Sequence, residues 1–327
     1  MAKNSAGSSE KAGKPIRCRA AVVRKAGEPL VIEEIIVATP RSGEVRIKII
    51  CTSLCHSDVT FWKLKVSPWL HRDGTSRFTD LKGETLYHFL YVSSFSEYTV
   101  LNTANLTKVD PAIPPNRACL LSCGVSTGVG AAWRTANVEA GSTVVIFGLG
   151  AIGLAVAEGA RLCGAKKIIG VDINPQKFET GKIFGVTDFV DSMNSGDKSV
   201  RQVINEMTNG GADYCFECVG MASLVEEAYA CCRKGWGKTI VLGVDKPGAE
   251  LKFSSFEVLH SGKTLTGCLF GGLKPKSDIS TLVKRYMDKE LQLDEFVTHE
   301  VGFEDINKAF DLLLEGKSLR CVIWMDK

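Results

Sequence analysis

Gly148-Leu149-Gly150-Ala151-Ile152-Gly153 has the glycine spacing of a pyrophosphate-binding turn. In such a turn the first glycine permits a tight strand-to-helix reversal, the second lets the backbone approach a phosphate, and the third lets the helix close on the strand. The helix that starts there offers free N–H groups and a positive dipole end to the anion. Asp172 follows at the end of the next apolar run. A carboxylate about 20 residues on accepts hydrogen bonds from ribose hydroxyls and favours NAD over NADP. The competing reading is a glycine-rich packing turn without a ligand. Two further clusters carry thiols, Cys55-His56-Ser57-Asp58 and Cys123-Gly-Val-Ser-Thr127. Zinc prefers thiolate and imidazole, and a catalytic zinc keeps three protein ligands and one open position. Cys55 and Cys123 supply at most two of the three, and their spacing alone does not separate ligands from structural cysteines.

The hydrophobic pattern sets these residues on predicted elements. Residues 142–147 read as a buried strand, 154–162 as a helix of small residues, and 167–171 as a second strand ending at Asp172. A strand at 212–218, a helix at 224–232 and a strand at 238–242 continue the alternation. Alternation of this kind from 127 to 270 predicts a parallel sheet with right-handed crossovers. Before it, residues 19–23, 30–34, 44–50 and 97–101 read as short strands of a β-rich domain, with a turn at 40–43. Pro114 and Pro115 lead into a helix near 117–122. Amphipathic helices are predicted at 277–289 and 304–315, and a last strand at 319–324.

Composition bounds the class. The chain has 327 residues, 45% hydrophobic and 24% charged, with a net charge of +3, as expected of a globular protein of one large or two ordinary domains. No basic block with interleaved aromatics points to nucleic acid. No apolar run reaches membrane-spanning length. Residues 1–14 are polar and rich in Ser and Lys, which predicts a disordered tail and not a signal peptide. Twelve cysteines without a secretion signal read as reduced cytoplasmic thiols.

The chain resembles the zinc-dependent medium-chain alcohol dehydrogenases of the plant type. The matching stretches are Cys55–Asp58, residues 123–130, the 148–153 turn, residues 170–174, 216–220 and 269–272, and Ser318-Leu-Arg320. The resemblance implies an α/β fold in which a doubly wound parallel (Rossmann) sheet, residues 127–270, is inserted in a GroES-like β domain, residues 1–126 and 271–327. It implies NAD as cofactor, a catalytic zinc on Cys55 and Cys123, oxidation of a primary alcohol to an aldehyde, and a homodimer formed near 285–320 or at the edge of the nucleotide sheet. Ser57 takes the part of the hydroxyl that passes the alcohol proton on, and Asp58 that of the carboxylate behind the zinc-bound histidine. His56 and Arg320 match contacts to the cofactor phosphates. Asp172 and Lys177 match the adenosine-ribose contacts. Thr127, Leu242, Val244 and Phe270 match positions near the nicotinamide, and Phe89 and Leu90 the apolar wall of the alcohol pocket. Thr60 stands where other members end the proton relay in a histidine. Without the resemblance, Phe89 and Leu90 read equally as core, Lys177 as a solvated helix residue, and His71, His88, His260 and His299 as surface or packing residues.

The resemblance also fails at one place. The family's Gly-His-Glu motif, which carries the third zinc ligand, occurs nowhere in the chain, and neither do the four closely spaced cysteines of a structural zinc. Residues 61–65 run straight into 66–69, where the family has several dozen residues between. Text on both sides matches, which implies the loss of one internal block, through a skipped exon, an alternative transcript or a faulty gene model, and leaves the β domain incomplete. A two-thiolate site holds zinc poorly, and His71 is the nearest replacement ligand in sequence. The alternative to an active enzyme is therefore an inactive NAD-binding isoform or decoy subunit. Lost barrel strands predict exposed sheet edges and apolar surface. A zinc-free reductase of the same superfamily is disfavoured by the retention of Cys55 and Cys123.

Overall fold

The computed structural model describes residues 13–64, 69–194 and 196–326. The expected tail at 1–14 falls largely outside the described residues, and the Lys65–Val66 junction falls wholly outside them. The chain opens with strands β1 (Ile16–Val22), β2 (Val31–Val37), β3 (Glu44–Lys48) and β4 (Cys51–Ser53), then helix α1 (His56–Lys63). Strands β5 (Phe78–Asp80), β6 (Thr85–Leu86) and β7 (Tyr98–Asn102) follow, then helices α2 (Pro115–Ala118) and α3 (Gly124–Gly130). An alternating stretch comes next, with β8 (Thr143–Phe147), α4 (Ala151–Leu162), β9 (Lys167–Asp172), α5 (Lys177–Ile183) and β10 (Asp188–Asp191). It continues through α6 (Val200–Thr208), β11 (Tyr214–Glu217), α7 (Ala222–Cys231), β12 (Lys238–Val241), α8 (Ser255–Ser261) and β13 (Thr264–Gly267). Helix α9 (Pro275–Met287), β14 (Val297–Gly302), α10 (Ile306–Leu314) and β15 (Arg320–Trp324) complete the order. The helix expected near 117–122 begins earlier, at Pro115, and tightens into a 3₁₀ turn over Cys119–Ser122.

The chain divides into two compact units. The first comprises Met1–Lys108, Pro114–Cys119 and Phe296–Lys327, and the second Val109–Ile113 and Leu120–Glu295. Strands of the first unit form three small sheets, ordered β1-β2-β5-β6, β14-β15-β4 and β3-β7. In β1 the side chains of Ile16, Cys18 and Ala20 alternate inward, as a half-buried antiparallel strand requires. They meet Ile35, Val37, Phe78 and Val100. A second cluster gathers Leu54, Val59, Phe303, Ile306, Phe310 and Ile323 and so fixes the β4–α1 corner against α10 and β15. A polar knot is buried near the first. Arg77, 2% exposed, donates to both oxygens of Glu44 at 2.7 and 2.8 Å and to Asp73 at 2.8 Å.

The second unit is a six-stranded parallel sheet ordered β10-β9-β8-β11-β12-β13, in which the order reverses between β8 and β11. Its central strands are buried along nearly their whole length, because helices cover both faces of a parallel sheet. That explains why Val144-Val-Ile-Phe147 shows no alternation. Helix α4 buries Leu154, Ala155, Val156, Ala157 and Ala160, and removing each larger aliphatic side chain from water stabilises the unit by roughly 1.5–3 kcal/mol. Glu158, fully buried on the same helix, pairs with Arg161 at 2.8 and 2.9 Å and accepts from the Gln292 N–H at 2.9 Å, which fastens the 290–292 loop to the helix.

Candidate functional site

Strand β8 delivers the chain at Phe147 into Gly148, whose φ of +92° is strained for any L side chain. A Cβ there would also lie 2.6 Å from Val219 Cγ2. At Gly153 a Cβ would collide with the Gly148 carbonyl oxygen, so the start of α4 closes on the turn only with glycine. Gly150 differs from both, since a Cβ there would meet nothing within 4 Å. The middle glycine faces open space at the N-cap of a 12-residue helix with no acidic residue in its first turn. A helix N-terminus of this kind has the polarity to seat an anion by backbone alone. Leu149 is fully buried beneath it, and Ala151 and Ile152 begin the helix.

Asp172 closes the seat from β9. It is 6% exposed, its Oδ2 accepts from the Leu149 N–H at 2.7 Å, and its Oδ1 accepts from the Asn174 N–H at 2.9 Å. The Lys177 Nζ lies 2.9 and 3.1 Å from the two oxygens. Within this unit the structure thus joins the glycine turn, Asp172 and Lys177. Thr127 and Cys123 are neighbours at the start of α3, where the Thr127 N–H and hydroxyl both donate to the Cys123 carbonyl, at 2.9 and 2.8 Å. Cys123 is exposed at the N-cap of α3. Leu242 donates its N–H to the Glu217 carbonyl at 2.8 Å, Val244 is 77% exposed, and Phe270 sits in a 3₁₀ turn with a φ of +50°.

In the first unit β4 turns into α1 at Cys55. The Asp58 carboxylate accepts from the Cys55 N–H at 2.7 Å, and the Cys55 side chain returns to the Asp58 backbone, a reciprocal helix cap. Desolvation pushes the Asp58 carboxyl well above its usual range, the Cys55 thiol adds to the rise, and Arg320 opposes it. Arg320 is 6% exposed and donates to the Leu54 carbonyl at 3.2 Å, so it braces this corner. His56 is exposed, Ser57 half-buried, and the Thr60 hydroxyl donates back to the His56 carbonyl at 2.9 Å. Phe89 packs edge-on against Phe61 and Trp69, with ring centroids 5.6 and 5.3 Å away, while Leu90 is 45% exposed.

His71 is committed elsewhere. It is buried, its Nδ1 lies 3.1 Å from Glu44, and its ring stands 4.4 Å from that of His88. Burial lowers the pKa of both imidazoles, that of His88 to about 3. Among the described residues no group of three or more His, Cys, Asp or Glu side chains could hold a metal ion. The donor set therefore does not fit a zinc held by three protein ligands. The glycine turn does fit a dinucleotide phosphate.

One residue of this region lies in a matched stretch, 216–220, to which the sequence reading gives no role. Glu217, at the carboxyl end of β11, is fully buried, and its Oε1 accepts from the N–H groups of Val219 and Gly220 at 2.8 and 2.7 Å. A carboxylate inside the otherwise apolar run Tyr214-Cys-Phe-Glu217 was the signal for it.

The pattern shared by zinc-binding dehydrogenases matches residues 151–288. The chain is 60% identical to alcohol dehydrogenase-like 7 of Arabidopsis thaliana over 98% of its own length and 99% of that protein. The alignment spans 385 positions, more than the 327 residues present here. Identity to alcohol dehydrogenase 1 of Petunia hybrida is 43%, over 98% of this chain and all of the other. Among solved structures, an alcohol dehydrogenase zinc-binding domain protein of Burkholderia ambifaria superposes with a TM-score of 0.89 at 25% identity, over 96% of this chain and 100% of the other. The benzyl alcohol dehydrogenase of Acinetobacter calcoaceticus gives a TM-score of 0.86 at 24% identity, over 95% and 99% of the two chains, and so shares the fold.

Proposed function

Because the chain belongs to the alcohol dehydrogenase family of zinc-binding dehydrogenases, we propose that it binds NAD(H) through its second unit while its metal half falls short of a working zinc site. The observation that carries this reading is the open space above Gly150, set between a helix N-terminus and the Asp172 carboxylate. When bound, NAD supplies the hydride acceptor for oxidation of an alcohol. The residues of this chain would hold it as follows. Backbone N–H groups at 150–153 would take the pyrophosphate, the Leu149 N–H being spent on Asp172, and the resemblance adds His56 and Arg320 as phosphate contacts. Asp172 and Lys177 take the adenosine ribose, and Thr127, Leu242, Val244 and Phe270 border the nicotinamide. Residues 127–270 are the dinucleotide-binding segment in this reading, and 1–126 and 271–327 the remnant of the alcohol-binding domain.

The best-supported activity is accordingly NAD(H) binding with little or no alcohol turnover. In support, the alignments with relatives run longer than this chain, as loss of an internal block at Lys65–Val66 requires, and the described residues hold no group of three or more metal-binding side chains. The second reading is a full NAD- and zinc-dependent oxidation of primary alcohols to aldehydes. Retention of Cys55, Ser57 and Cys123 favours it. Titrating NADH by nicotinamide fluorescence and measuring zinc in the purified protein separates the two. NADH binding without stoichiometric metal or ethanol-dependent NADH formation supports the first. A full complement of zinc with turnover supports the second. A silent titration on folded protein overturns both. Twelve free thiols support a cytoplasmic location. For the homodimer, the candidate faces are the segment near 285–320 and the edges of the parallel sheet, β10 and β13, and light scattering of the purified protein tests the assembly.

A further inference from the structure

Glu217 presents one oxygen to the Val219 and Gly220 N–H groups, while its Oε2 is buried without a hydrogen-bond partner among the described residues. Its main-chain carbonyl accepts from the N–H groups of Leu242 and Gly243, at 2.8 and 3.1 Å. One residue thus holds two loops, the one after β11 through its side chain and the one after β12 through its backbone. The loops touch so closely that neither has room for a side chain at the contact. A Cβ on Gly243 would collide with the Gly220 N and lie 2.5 Å from Glu217 Oε2, and a Cβ on Gly220 would lie 2.5 Å from the Val244 carbonyl oxygen. The first loop also meets the phosphate turn, through Val219 against Gly148.

These loops stand at the carboxyl ends of the strands beyond the point where the sheet order reverses. In a doubly wound sheet each side of that point takes one mononucleotide of a dinucleotide. Asp172, after β9, serves the adenosine side, so the loops after β11 and β12 face the other. Val219 and Val244 are 48% and 77% exposed there, two apolar side chains suited to cover by a flat ring. Resting on the nucleotide reading above, we propose that Glu217 is a positioning residue for the nicotinamide half of NAD(H), tying the two loops into one wall while leaving the adenosine half to Asp172.

The test compares two ligands on the full chain. NADH is titrated by fluorescence, and ADP-ribose, which lacks the nicotinamide, by calorimetry. Glu217→Gln keeps the size and a carbonyl for the Val219 and Gly220 N–H groups, but places N–H donors where Oε2 has no partner. Gly243→Ala is the second variant and presses on the same contact from the other loop. Each is expected to weaken NADH binding by about tenfold or more while ADP-ribose stays within about twofold of the wild-type value. Equal losses for both ligands would reduce Glu217 to a general structural role and overturn the proposal, as would unchanged NADH binding. A wild-type chain that takes up neither ligand refutes the nucleotide reading itself, and this inference with it.

Discussion

Replacing Asp172 by Asn probes the nucleotide seat with the least change in shape. The carboxylate accepts from the backbone N–H groups of Leu149 and Asn174 and pairs with Lys177. An amide has one acceptor oxygen and one NH₂ group. One of the two backbone N–H groups would then face another donor in a site 6% exposed. Such a buried mismatch costs about 1–3 kcal/mol of stability. For the ligand, a hydrogen bond to a charged acceptor contributes roughly 1.5–3 kcal/mol and a neutral one roughly 0.5–1.5. Two ribose hydroxyls bound to the carboxylate therefore lose about 2–3 kcal/mol together, a rise in the NADH Kd of roughly 30- to 140-fold. The assay is a fluorescence titration of NADH on wild type and variant, with urea unfolding to measure the stability term separately. NADPH serves as the control, since the wild-type carboxylate repels a 2′-phosphate. An unchanged NADH Kd in the variant, or wild-type protein that prefers NADPH, would refute the assignment.

The glycine turn makes a paired prediction. Gly150→Ala should leave the urea midpoint unchanged and weaken NADH binding, because its Cβ points into open space, whereas Gly153→Ala should lower stability by about 1–3 kcal/mol or more through overpacking. The reverse pattern would remove the phosphate seat. Chelation with EDTA should alter neither the thermal midpoint nor NADH affinity, and a clear drop in either would reveal a metal that stabilises the fold. A full-length plant relative should melt at a higher temperature than this chain, and equal midpoints would count against a lost block. Acid should destabilise the first unit through His88. Unfolded, its imidazole takes up a proton near pH 6.5, whereas folded, beside His71, Arg77 and Glu44, it does so only at about 3. Between those values the unfolded chain binds more protons, so stability drops as the pH is lowered, by up to about 1.4 kcal/mol per unit. Glu44 and Asp73, whose pKa values are lowered, steepen the loss at the acid end. His88→Gln, which keeps an acceptor for the Arg77 N–H, should flatten the melting curve between about pH 6 and 4, and an unchanged slope would show that another group governs it.

Strands buried on both faces were the most legible elements. Val144-Val-Ile-Phe147 and Lys167-Ile-Ile-Gly-Val-Asp172 announce themselves because a parallel sheet needs unbroken apolar runs. Strands β5 and β6 escaped detection because three and two residues are too few to show a period. Helix α6 was legible and was missed, since Ser199 caps against Gln202 and Val200, Val203, Ile204 and Met207 have the spacing of one helical face. The glycine turn was legible from its spacing, and only the geometry separates the roles of its members, with Gly153 jammed and Gly150 open. The helix-capping role of Asp58 was written in its position three residues after Cys55, yet the stronger association with a histidine obscured it. Glu217 was harder to foresee, because its work depends on two loops that sequence places 20 or more residues apart.

The Lys177 ammonium, 38% exposed, occupies both Asp172 oxygens in the free protein. An incoming sugar would therefore meet an anion and a cation side by side, one to accept from its hydroxyls and the other to donate to them. With its charge balanced by a neighbour, the carboxylate has little hold on dissolved cations. Brine should screen this pair as it screens the phosphates, so ionic strength acts at two points of a single seat.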